Sequence, residues 1–345
     1  MNKKKLTIWG LCIAIPLLLL SIYLYSQLFA SNTNFSEKEI YIKIPTNATY
    51  QQAKQIIAPY LKNVAQFEAI AQKRSYPEHV KAGRFIIQNN MGNWAIVTAL
   101  RKNVAVKLAF NNQERLEDLV GRVSHQIEAD STALLNTIKD PGFLQQNGFT
   151  PDNVLVMFIP NTYEMYWNTS AEKFRDKMIK EYHKYWTKDR IAKAQQQQLT
   201  PIQATILASI VHKESVKKDE RPRIAAVYLN RLKLEMPLQA DPTVIFALKK
   251  NVNDFDQVIK RVLYDDLKMA SPYNTYLNLG LPPGPIAMPD ITALEAVLNP
   301  EKNDYLFFCA SVSRFGYHEF ATTLAEHDVN RKKYTDWVSS KGINR

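Results

Sequence analysis

Polar and apolar positions divide this chain into one long uncharged run, a stretch of short alternating segments, and a longer region dominated by helical periodicity. The uncharged run is LTIWGLCIAIPLLLLSIYLYSQLFA, 25 residues at 6–30. A membrane-spanning helix needs about 20 apolar residues, whereas the core of a cleaved signal has about 7–15. The length therefore predicts an uncleaved signal-anchor, in which Pro16 is tolerable. Lys3, Lys4 and Lys5 precede it and mark the cytoplasmic side, which puts everything after Phe29 outside. No later stretch is long and apolar enough to span again, so a single-pass protein with its bulk exported is expected.

A polar linker, 31–38 (SNTNFSEK), leads into a compact mixed region. EIYIKI (39–44) alternates as a strand, YQQAKQIIAPYL (50–61) has helical spacing, and GRFIIQ (83–88) alternates again. GNWAIVTALRKN (92–103) is predicted helical and VAVKLAF (104–110) a closing strand. Helical periodicity continues to about 139, followed by VLVMFIPNTYEMYW (154–167), apolar and then aromatic. KFRDKMIKEYHKYW (173–186) reads as a charged amphipathic helix, and Gln195–Gln198 are expected near a domain joint.

The signals sharpen from Thr200. TPIQ is a capping box with Pro at the first helical position, Thr200 capping and Gln203 reaching back. In the helix it opens, Leu207, Ile210 and Val211 recur at i, i+3 and i+4, yet the next position of that face is Glu214. RPRIAAVYLNRL (221–232) is a second helix, and DPTVIFAL (241–248) a third, with Asp241 as its expected cap before Pro242. SPYNTYLNLGLPPGPIAMPD (271–290) holds five Pro and two Gly, too many for an element interior, and is expected as an extended loop. TALEAVLN (292–299) is expected to be capped by Thr292 with Glu295. YLFFCAS (305–311) reads as a buried strand, and GYHEFATTLAEHDVNRKKY (316–334) as a strand turning into a closing helix.

Composition narrows the chemistry. Lys and Arg number 44 against 33 Asp and Glu, a formal charge of +11 that favours an anionic partner. No charge block or nucleic-acid motif is present, so no nucleic-acid partner is expected. Cys12 lies in the apolar run and Cys309 in a strand pattern, which leaves no plausible disulfide and no thiol or zinc chemistry. The six His show no HExxH spacing; His318 and His327, nine apart, could both face a cleft. No GxSxG, SxxK or Gly-rich phosphate loop supports acyl transfer or nucleotide use.

Among carboxylates, Glu214 stands out. Wedged among aliphatics, its ionised form would be desolvated and its pKa raised, which keeps a general acid protonated near neutrality. The plainer alternative is a surface pair with Lys218. Asp219, Glu220 and Asp241 are possible second carboxylates for glycoside hydrolysis, though a solvated turn accounts for the first two and helix capping for Asp241. Aromatics cluster at Tyr163, Tyr166 and Trp167 and at Tyr273 and Tyr276; they could stack on sugar rings or simply fill a core.

ASIVHKES, RIAAVYLNRL, MPLQADPTVIFAL, SPYNTYLNLGLPPGPI and GYHEFATTLAEH, in that order, resemble the YceG-like family, the endolytic murein transglycosylases of bacteria. The likeness covers about residues 150–330. GRFIIQNNMGNWAIVTALRKN is similar, more distantly, to the LysM-like subdomain that precedes the family's catalytic part. The family's helix usually carries two glutamates; here His212 replaces the first, and Glu214 falls on the catalytic acid.

The resemblance implies a mixed α/β (α+β) protein: 1–30 cytoplasmic tail and anchor, 31–38 linker, 39–110 LysM-like subdomain, 111–345 catalytic domain. It implies non-hydrolytic cleavage of the bond between N-acetylmuramic acid and N-acetylglucosamine within glycan strands. Glu214 would protonate the glycosidic oxygen, then take the proton of the muramoyl 6-hydroxyl as that group attacks C1, leaving a 1,6-anhydro end. Asn230, Gln239, Asp241, Thr243, Tyr273, Asn274, Tyr276 and His318 would line or brace the cleft. Neither a metal nor an organic cofactor is needed, and peptidoglycan synthases of the penicillin-binding class are candidate membrane partners. A muramidase using Asp241 or Glu220, and a tethered wall-binding protein without catalysis, are the competing expectations.

Overall fold

A computed structural model describes residues 3–340 as two compact units. Of the described residues, the first comprises those up to Leu108 with His125–Ala129 and Tyr163–Ser170, and the second the rest. Each is mixed α+β, with helices predominating and the strands confined to small two-stranded sheets.

The first unit begins with α1 (Lys3–Phe29), in which Leu11–Phe29 is long and apolar enough to cross a membrane. β1 (Glu39–Ile44), α2 (Tyr50–Ile57), α3 (Val64–Lys73), β2 (Gly83–Gln88), α4 (Asn93–Ala99) and β3 (Ala105–Phe110) follow. β1 and β2 pair antiparallel from Glu39↔Gln88 to Ile44↔Gly83. Alternation puts Ile42 and Ile44 of one strand and Phe85 and Ile87 of the other into a core with Ile57, Phe67, Tyr76 and Ile96. Full burial of each large apolar side chain contributes about 1.5–3 kcal/mol. The expected helix 50–61 stops at Ile57 and tightens into a 3₁₀ turn over Ala58–Tyr60, and α3 follows as a helix the periodicity had not marked. Gly92 is needed for close approach: a Cβ there would lie 2.6 Å from the Phe29 carbonyl carbon, where α1 ends.

The second unit contains α5 (Leu116–Ser124), α6 (Ser131–Ile138) and α7 (Pro141–Asn147), then a 3₁₀ turn at Val154–Met157. β4 (Asn161–Tyr166), which from Tyr163 on belongs to the first unit, pairs with β3; α8 (Ala171–Tyr185) and α9 (Lys188–Gln196) of the second unit follow. The run Gln195–Gln198 ends α9 inside this unit and marks no joint. α10 (Pro201–Glu214), α11 (Arg221–Lys233), α12 (Asp241–Val252) and α13 (Ile291–Leu298) form its helical centre, with α10 packed against the other three.

The segment 271–290 has neither helix nor strand, as its prolines predict. It is nonetheless held firmly: a Cβ on Gly284 would sit 1.9 Å from the Asp152 carbonyl oxygen, so only glycine lets the loop lie there. The cap of α13 is Asp290, which accepts from the Ala293 amide; Thr292, the expected cap, donates its hydroxyl to Asp290 instead. β5 (Phe307–Ala310) and β6 (His318–Ala321) form an antiparallel pair, Phe307↔Ala321 to Ala310↔His318. β5 is half-buried rather than buried, because one two-stranded sheet covers little of its surface. α14 (Leu324–Ser340) closes the described chain.

Candidate active site

The reciprocal cap predicted for α10 is present: the Thr200 hydroxyl accepts from the Gln203 amide, and the Gln203 side chain accepts from the Thr200 amide. Beyond it, every residue from Ala204 to Val211 is buried. The helix is therefore a central one, not the one-sided amphipathic helix that the periodicity predicts. Glu214 is its last residue, half-buried, at the end where unpaired carbonyls carry partial negative charge.

Burial pushes the Glu214 carboxyl up to about 7. The Tyr228 hydroxyl, donating to its Oε1 at 2.5 Å, pulls the other way, while the neighbouring Asp241 carboxylate adds to the rise. The carboxyl is thus poised to hold and give up a proton near neutrality. His212, two residues earlier, faces elsewhere: its Nδ1 lies 3.4 Å from Asp290, which also receives the buried Arg221 guanidinium at 2.6 Å. Burial would raise the Asp290 carboxyl, but the bonds from His212, Arg221 and Thr292 hold it well below the usual carboxylate range.

Glu214 opens into a cleft of about 250 Å³, which Gln239, Asp241, Tyr276 and His318 also line. Asp241 does not cap α12. Ala240 occupies that position without a side-chain bond, and Asp241, already helical, accepts from the Tyr276 hydroxyl at 2.6 Å. Gln239 has a left-handed backbone (φ 52°) and accepts from Arg231 at 3.2 Å.

The other expected site residues do not line the cleft. Asn230 donates to the carbonyls of Asn303 and Tyr305, bracing the approach to β5. Thr243 is buried in a hydroxyl pair with Thr275 that fixes the turn into α12. Asn274 binds the Leu267 and Met269 carbonyls and so folds the 267–276 loop on itself. Tyr273 is buried, its ring 4.8 Å from Phe246 and its hydroxyl on Asp152, and cannot stack on a sugar. Tyr276 is the remaining aromatic of that pair.

His327 stacks on Phe307 and is not among the cleft residues. Asp219 is exposed and bonded to the Tyr317 hydroxyl. Glu220, expected in a solvated turn, is buried at 4% exposure, bonded to His318 and Ser215. The turn it occupies folds under β6, a tertiary contact that no local pattern reports.

Sequence reasoning missed Tyr228, Arg231, Leu238, Phe308, Cys309 and Ala310 in the cleft wall. Arg231 is buried and donates to the carbonyls of Leu306, Pro237 and Leu238, fastening the 237–239 strap to β5. Among the three Arg and one Lys of that helix, no local signal marks Arg231 as buried. Tyr228, beside it in AVYLNRL, gave none. Among the described residues, no cluster of three or more His, Cys, Asp or Glu could hold a metal.

A model of the YceG-like family matches residues 42–333. An endolytic murein transglycosylase of Bacillus subtilis is 40% identical over 174 residues, 50% of this chain and 45% of the relative. One of Streptococcus pneumoniae is 26% identical over 342 residues, 89% of this chain and 60% of the relative. The chain thus spans less than two thirds of the length of these relatives. A crystal structure of a yceG-like protein of Listeria monocytogenes matches with a TM-score of 0.56 at 29% identity, covering 85% of this chain and 99% of that one. With the family model matching most of its length, from the first strand to the closing helix, the chain belongs to the YceG-like family.

Proposed function

We propose that this protein is a membrane-anchored endolytic lytic transglycosylase of peptidoglycan, with Glu214 as its general acid. The observation that carries the proposal is a carboxyl at about 7 opening into a cleft, at the helix end that the resemblance assigns to the acid. The names of the relatives supply the substrate class. Protonation by Glu214 turns the departing sugar oxygen into a hydroxyl while C1 gains oxocarbenium character. The muramoyl 6-hydroxyl then closes on C1 within the same ring system, an intramolecular attack that needs no bound nucleophile. The cleft has room for roughly one sugar ring, smaller than a pocket for a free small molecule. A long strand lying across it would present one bond at a time.

The same reading places α1 in the cytoplasmic membrane with the rest outside, where murein and its penicillin-binding synthases are. It also gives the LysM-like first unit a share in strand binding. Trp94, 44% exposed, is the aromatic we assign to that role; the Arg74 guanidinium lies over its ring at 4.0 Å.

A hydrolytic muramidase is the second reading, favoured by one observation: Asp241 stands in the cleft beside Glu214 and is not used up by capping. It could activate a water as the second carboxylate. Mass spectrometry of glycan strands digested by the purified wild-type protein separates the two. New 1,6-anhydro ends, one water lighter than reducing ends, are expected. Reducing ends alone would establish the muramidase, and no new ends at all would leave only a binding role.

A further inference from the structure

Glu220 lies outside the cleft wall yet is tied to it from behind. Its Oε1 accepts from the His318 amide at 2.7 Å, and its Oε2 accepts from His318 Nδ1 at 2.9 Å and the Ser215 hydroxyl at 3.3 Å. Ser215 directly follows Glu214, and Arg221 holds its carbonyl at 2.9 Å. One buried carboxylate therefore fastens both the residue after the acid and the histidine on β6.

A carboxylate only accepts, so Nδ1 of His318 carries a proton, and in the neutral ring Nε2 is then the lone-pair nitrogen. The ring packs edge-on against Phe308 at 5.1 Å, retains 16% side-chain exposure, and lines the same cleft as Glu214. Among the described residues no protein group bonds Nε2. A buried carboxylate behind an imidazole whose far nitrogen faces a reaction cleft is the arrangement that fixes the tautomer of a base and steadies the imidazolium it becomes.

We propose that His318 Nε2 is the base that takes the proton of the attacking hydroxyl, with Glu220 as its positioning residue. The proposal rests on the glycosidase reading above and divides between two groups the acid and base roles otherwise assigned to Glu214 alone. As the bond from C1 to the departing oxygen breaks, Glu214 gives that oxygen its proton and becomes a carboxylate. The oxygen of the 6-hydroxyl bonds to C1, and its proton passes to Nε2. The site then holds a Glu214 carboxylate and a His318 imidazolium beside Glu220, with net charge unchanged, and proton return from imidazolium to Glu214 through water resets it. Neither side chain has to reach both oxygens. If water is the nucleophile, the same base serves.

His318→Asn and Glu220→Gln in the full-length protein test this. An Asn amide can reach the Nδ1 position and keep Glu220 satisfied but has no Nε2. A Gln at 220 turns its amide NH₂ to Nδ1, which reverses the tautomer and makes Nε2 a donor. For both variants kcat on glycan strands should fall about 10²-fold or more, with KM changed less than about threefold and thermal unfolding of His318→Asn close to wild type. Nitrogen-15 NMR should find the lone pair of wild-type His318 on Nε2, and on Nδ1 in Glu220→Gln. Turnover by His318→Asn within about threefold of wild type, a loss confined to KM, or a wild-type ring protonated at Nε2 would each overturn the assignment. Those outcomes leave the glycosidase reading standing. No cleavage by the wild-type protein would overturn both.

Discussion

Glu214 has to be protonated to act, and its surroundings set the pH at which it is. With its carboxyl near 7 instead of the ordinary 4.5, kcat should decline on the alkaline side, about tenfold per pH unit above 7. The same shift acts on stability. A carboxyl whose pKa is raised by folding binds its proton more tightly in the folded state. Its contribution is therefore full below about pH 4.5 and is lost as pH rises through about 7. The loss amounts to up to about 3 kcal/mol at about 1.36 kcal/mol per unit. Glu214→Gln should abolish that slope, so denaturant midpoints of the two proteins should converge at pH 4 and favour the variant at pH 8. Equal midpoints at both pH values would show that the carboxyl is not desolvated. The sequence exposed Glu214 because a carboxylate interrupts an apolar run, although the one-face geometry behind that expectation gave way to a helix buried all round. Glu220 was illegible, since its burial depends on β6, 98 residues away.

Among elements, the junction of α10, α11 and α13 is held by a cluster of charged side chains. Asp290 caps α13, receives Arg221, itself buried, and faces His212. Asp290→Asn keeps a capping oxygen and removes only the charge. The expected cost is about 1.5–3 kcal/mol, the range for a hydrogen bond to a charged group, read as a lower urea midpoint at pH 7. Because bonds hold this carboxyl below the usual range, its contribution is present above about pH 4 and is lost as pH falls through its depressed value. The difference between the two proteins should therefore persist down to about pH 4. A midpoint equal to wild type at pH 7 would make the cluster ornamental. Elements with strong local signals were legible in sequence: the Thr200 capping box, the alternation of β1 and β2, the Pro-rich loop. Those set by packing were not. The start of α12 looked like an Asp cap before Pro, but Asp241 is drawn to Tyr276 instead, a partner 35 residues away.

At the scale of the whole molecule, the first unit is not a contiguous piece of chain. His125–Ala129 and Tyr163–Ser170 belong to it, and Glu128 receives both the amide and the hydroxyl of Thr46. Excising 39–110 would strand those segments, so the role of this unit is better tested in the full chain by Trp94→Ala. Weaker pelleting with isolated murein at unchanged thermal stability is expected, and undiminished pelleting would remove Trp94 from the binding surface. The N-terminal run predicts that a reporter fused after Arg345 is active only on the exported side; cytoplasmic activity would contradict both the orientation and the wall substrate. The central claim, that one carboxyl in the second unit supplies the proton for glycan cleavage, is tested most directly by Glu214→Gln. The measurement is the rate at which purified protein generates 1,6-anhydro ends on glycan strands, with exposed Asp265→Asn as control. Gln is nearly isosteric and can still donate a hydrogen bond but cannot transfer a proton, so the rate should fall by about 10⁴-fold while the control matches wild type. Anhydro ends formed by Glu214→Gln at near the wild-type rate would contradict the account.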